Sequence, residues 1–158
     1  MKWKSSRAAV ENAANVLPKL FDKYIEEGRA ATDGKRSPKE LHNFRIKTKA
    51  FRYTLELFRP LYGSRLEHDL EPVRELQRVL GKLHDYYVIA DKLDADKALQ
   101  TKLERLTKKK LKAFHKLWAA FDSKSQVNRW KAFLVHGAAK SVVTNRKCKT
   151  RKRSTTAA

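Results

Sequence analysis

At 158 residues the chain has the length of one domain and can bury a core without metal or disulfide staples. Its 37 Lys and Arg against 17 Asp and Glu give a net charge of +20, which opposes compaction and calls for a polyanionic partner: nucleic acid, an anionic membrane surface or another phosphate polymer. The single cysteine, Cys148, excludes an intrachain disulfide and suits a reducing, cytoplasmic compartment; no apolar run approaches the roughly 18 residues of a membrane span, and Glu11 and neighbouring Asn residues break any secretory signal.

Helices account for nearly the whole chain, because Gly and Pro are few and stand where helices would start or stop. The first helix is expected from about Arg7 to Glu27, closed by Gly28. After the loop "RAATDGKR", Ser37 caps a second helix, with Pro38 in its first turn and Glu40 completing a capping box. That helix weakens at Pro60 and ends by Gly63. Ser64 and Glu67 offer a second capping box for helix three, which Pro72 kinks or splits. Asp94 to Asp96 turn the chain into helix four, residues 97–121, and "DSKSQ" separates it from a last amphipathic piece, Val127 to Val143. From Asn145 onward "NRKCKTRKRSTTAA" lacks any apolar period. The expected fold is an all-α antiparallel bundle of four to five helices over residues 1–144, with a basic disordered tail at 145–158.

Helix two carries the most specific pattern. In "LHNFRIKTKAFR" the residues His42, Arg45, Lys49 and Arg52 stand at i, i+3, i+7 and i+10, a spacing that normally writes a core stripe. At roughly 100° per residue they fall within an arc of about 80°. Phe44, Phe51, Leu55 and Phe58 lie on one flank, Ile46, Ala50, Tyr53 and Leu57 on the other, and only Lys47 and Thr54 read as a plain solvent face. Apolar flanks on both sides would set the cations in a groove between packed helices, where four like charges need an anion. The plainer reading is an Arg52/Glu56 surface pair at i, i+4.

Helix three repeats the theme with Arg74, Arg78 and Lys82, and helix four with Arg105, Lys109, Lys112 and Lys116. Solvated charge is the rival explanation for both rows. Three successive cationic rows nevertheless suggest one shared surface.

These residues carry a resemblance. "ELHNFRIKTKAFRYTLELFRPLYG" followed by "VRELQRVLGKLHDYYVIADKL" resembles the CHAD family of α-helical domains, with its His-x-x-Arg-x-x-x-Lys/Arg-x-x-Arg-Tyr helix and the following Leu-Gly-x-x-x-Asp signature. The similarity spans about Lys39 to Trp130. It implies a helical bundle that binds inorganic polyphosphate through a basic surface, with His42, Arg45, Lys49 and Arg52 on the phosphates. Ala50 departs from the family pattern by replacing a second cation after Lys49, and His84 stands before Asp85 where Arg or Asn is common. The chain also holds one copy of a motif that full members carry twice, which implies a homodimer through a two-fold interface.

No phosphate-cradling glycine loop, acidic magnesium cluster or alternating Glu/Lys strand is present, so catalysis is not expected; Asp85 and Asp91 are expected to pair with neighbouring Arg or Lys. Neither metal nor cofactor is called for. The expected activity is non-catalytic polyphosphate binding in the cytoplasm, at polyphosphate granules where these occur. The alternative is a histone-like or RNA-associated role, favoured by the basic tail, and a third reading is a subunit whose catalytic partner is encoded elsewhere.

Overall fold

The computed structural model describes residues 4–6, 8–34, 36–93 and 97–137, and among them every regular element is a helix. The elements are α1 (Ala9–Thr32), α2 (Pro38–Leu57), α3 (Arg59–Tyr62), α4 (Ser64–Asp69), α5 (Glu71–Lys92), α6 (Lys97–Phe121) and a helical segment at residues 124–137, here α7. The all-α expectation holds. The expected tail, 145–158, and the end of the last amphipathic piece lie outside the described residues.

α2 starts as its residues dictate: Ser37 Oγ accepts the Glu40 N–H and the Glu40 carboxylate accepts the Ser37 N–H, with Pro38 in the first turn. Two other local signals resolve differently. Gly28 does not end α1, which runs one further turn; it lies inside the helix because Trp118 of α6 fills the space beside it, and an added Cβ would sit 1.9 Å from the indole. Ser64 is already helical, with Gly63 at the cap position with φ 72°, and no side-chain cap bond forms there because Glu67 turns to arginines instead. Pro72 does split the third helix, standing in the first turn of α5 directly after α4.

α2 packs between α1 and α5, α6 packs on α5 and reaches α1, and the α2–α5 pair is antiparallel: His42 meets His84 at one end, Glu56 meets Arg74 at the other. The core is aromatic. Tyr24 of α1 is stacked on Phe51 (centroids 4.2 Å, 11°) and on Phe44 (5.5 Å, 14°), and Trp118, Phe121 and Trp130 close around them. Its hydroxyl meets Thr48 Oγ1, which donates to the Phe44 carbonyl, so the buried phenol stays protonated with its pKa pushed above the usual tyrosine value by burial. α7 caps this core: Trp130 stacks on Phe21 and the Tyr62 hydroxyl donates to the Leu134 carbonyl. The aromatic sides of α2 and α6 are thus covered within one chain.

Candidate functional site

α2 presents Leu41, Phe44, Thr48, Phe51 and Leu55 to the core, which places the cationic seam one step around the helix, along its contact with α5. The opposite flank is not covered as its apolar residues suggest. Ile46, Tyr53 and Leu57 are 50%, 46% and 78% exposed, so the seam lies at a helix–helix edge with one side open rather than in a groove walled on both sides. Period alone cannot tell two apolar flanks apart, and the structure buries the aromatic one. Lys47 and Thr54, read as a solvent face, turn toward α1, where Lys47 Nζ lies 2.8 Å from Glu27.

At the head of the edge, His42 Nδ1 and His84 Nδ1 are 3.1 Å apart, with ring centroids at 4.4 Å, on the wall of a cavity of about 490 Å³ that Lys39, Tyr87 and Asp91 also line. Arg45 follows, its Nε facing Gly81 of α5. Arg45 Nε, Arg52 Nε and Gln77 Oε1 are buried atoms with no hydrogen-bond partner among the described residues. Gln77 belongs to the same α5 line as Arg74, Gly81 and His84, by the i, i+3, i+4 period. The Arg52 guanidinium stacks 4.3 Å above the Tyr53 ring, and Lys49 Nζ stands 5.7 Å from the same ring.

Glu56 supplies the seam's carboxylate, 3.6 Å from Arg52 Nε and 3.4 Å from Arg74. Arg74 is engaged further by Glu67 at 2.6 Å and Glu71 at 3.5 Å, and the Glu67 hydrogen bond above all raises its pKa beyond the ordinary guanidinium value. Arg78 pairs with Glu71 and Glu75. Of the α5 row, Lys82 is exposed and makes no ion pair among the described residues. On α6, Arg105, Lys109, Lys112 and Lys116 are exposed and lie roughly 180° from Phe114 and Trp118. That row faces away from the side packed on α5 and α1, and no bond or ion pair ties it to the α2 seam among the described residues. The structure therefore joins α2 and α5 along one edge and leaves the α6 row separate.

Asp85 and Asp91 are exposed and make no ion pair among the described residues, contrary to expectation. Sequence reasoning also missed His84 and Gln77 as members of the edge; His84 stood out only as a departure from a motif. Among the described residues no cluster of three or more His, Cys, Asp or Glu is arranged to hold a metal ion, and no helix is long and apolar enough to cross a membrane.

Fold and site together define an all-α domain with a basic edge between two antiparallel helices. The chain belongs to the CHAD domain family, whose model matches residues 2–94, which is 93 of the 158 residues. The match takes in α1 through α5 and stops before α6, so the closing helices, read as similar up to Trp130, lie outside it. Neither a curated protein nor a solved structure matches the chain.

Proposed function

We propose that the chain binds inorganic polyphosphate along the α2–α5 edge and is itself non-catalytic. CHAD domains are binding domains associated with polyphosphate. The observation that carries the reading for this chain is Arg45, whose buried Nε has no hydrogen-bond partner and which makes no ion pair among the described residues, followed along the edge by Arg52, held only by Glu56 at 3.6 Å. A buried donor left unmet costs about 1–3 kcal/mol, which a phosphate oxygen would recover once the side chain turns outward to meet it. His42, Arg45, Lys49 and Arg52 make the primary contacts; Lys82 borders them, whereas Arg74 and Arg78 would have to exchange carboxylates for phosphates. The α6 row, Arg105, Lys109, Lys112 and Lys116, would act only as a secondary cationic face.

Nucleic acid is the competing ligand. Base stacking needs free aromatic faces, and on α2 only Tyr53 is exposed, with a guanidinium over its ring. Competition at equal phosphate concentration tests the choice: long-chain polyphosphate should outcompete short duplex DNA on the full chain. Deleting residues 145–158 removes six positive charges. Nonspecific DNA adhesion, which follows counterion release, should fall while polyphosphate binding survives. Loss of polyphosphate binding on truncation, or displacement by the duplex, would refute the edge as the site.

The proposal keeps the homodimer. The surface a second copy would cover is the exposed Ile46, Tyr53 and Leu57 stripe, not the aromatic core, which is already covered. Sedimentation equilibrium should show a dimer that Leu57→Glu weakens, and a wild-type monomer at working concentrations would remove the dimer from the proposal. A cytoplasmic location, at polyphosphate granules, belongs to the same reading.

A further inference from the structure

We infer that His42 and His84 act as one proton-holding unit at the head of the edge, with His84 as the positioning residue, and that polyanion binding loads a proton onto the pair. The inference rests on the polyphosphate reading above and adds to it a regulation by pH.

Two Nδ1 atoms at 3.1 Å form a hydrogen bond only when one carries a proton and the other a lone pair. The neutral pair satisfies this, and so does the pair with one added proton, in which the bond is charge-assisted and stronger. A second added proton would set two N–H groups against each other and break the contact. One proton can therefore enter the contact without rearrangement. With Nδ1 engaged, each ring has only Nε2 left for a ligand.

The surroundings set the direction of coupling. From α2, Lys39 lines the cavity and Arg45 stands one turn beyond His42; both oppose a further positive charge. From α5, Asp91 lines the cavity and Asp85 adjoins His84, both favouring it, while Lys82 opposes it. Tyr87 on the same wall remains a neutral phenol, its pKa raised by burial. Beyond Tyr87, Glu104 and Lys108 of α6 line the adjoining cavity with opposite charges. A polyanion laid along Arg45 and Lys49 cancels the α2 opposition, so binding favours the proton-loaded pair. By linkage the affinity rises as pH falls, and binding takes up a proton.

The test is calorimetric titration of the full chain with long-chain polyphosphate between about pH 6 and pH 8, in buffers of differing ionisation enthalpy. Wild-type affinity should fall about tenfold across that range, with net proton uptake on binding. His84→Gln should flatten the pH profile and reduce the uptake, so that its affinity relative to wild type falls further at pH 6 than at pH 8. His42→Gln should flatten it equally, and the double variant no further, as a shared unit requires. Thermal melts of each variant confirm that the fold is kept. A His84→Gln variant with the wild-type slope and uptake overturns the pair but leaves the polyphosphate site standing. Absence of saturable binding by the wild type at every pH overturns the polyphosphate reading, and the inference with it.

Discussion

The Arg45→Ala/Arg52→Ala double variant should bind long-chain polyphosphate about a hundredfold more weakly, since each guanidinium makes charge-assisted contacts worth about 1.5–3 kcal/mol. Without ligand it should melt at the wild-type temperature or above. Arg45 has no ion-pair partner among the described residues, and its Nε is a buried unmet donor, so truncation relieves a cost. Arg52 shares Glu56 with Arg74, so its removal leaves that carboxylate paired. Crowded like charge is reduced in both cases. Melts with and without polyphosphate measure both effects, and a variant that lost stability yet kept its ligand-induced shift would make the seam structural.

Phe51→Ala should do the reverse, costing about 3–5 kcal/mol of folding stability and lowering the melting temperature by roughly 6–20 °C. Phe51 is 2% exposed, stacked on Tyr24, with Phe21 and Trp130 at 6.2 and 6.4 Å, so truncation opens a cavity between three helices. Tyr24, stacked on both Phe51 and Phe44, would lose one of its two stacked partners. Polyphosphate affinity of the folded fraction should be unchanged. A variant that kept its melting temperature would mean that α2 is not seated in the core as described.

What could be read in advance was what local chemistry decides. Ser37, Pro38 and Glu40 specify the start of α2 within four residues, and the structure has the capping box in full. Pro72 restarts a helix for an equally local reason. Gly28 shows the limit: its meaning is set by Trp118, 90 positions away, and without that neighbour an interior glycine looks like a terminator. The cationic seam was visible as period, but its surroundings were not. Ile46, Tyr53 and Leu57 have the same apolar character as Phe44, Phe51 and Leu55, and only the packing of α1, α6 and α7 decides which set is covered. The Glu56–Arg74 ion pair and the meeting of His42 with His84 depend on the antiparallel register of α2 and α5, which no single-helix pattern contains.

That register has an electrical consequence. At the Arg52 end of the edge, Glu56 lies between two guanidiniums; at the other end, Arg45 and Lys49 face no carboxylate in an ion pair among the described residues. The ten helical steps from His42 to Arg52 span about 15 Å, longer than the screening length of about 8 Å at physiological salt. The two ends are therefore felt separately, and the edge has a direction: an anionic chain bound there as proposed would meet Arg45 and Lys49 free of ion pairs, and would have to compete with Glu56 for Arg52.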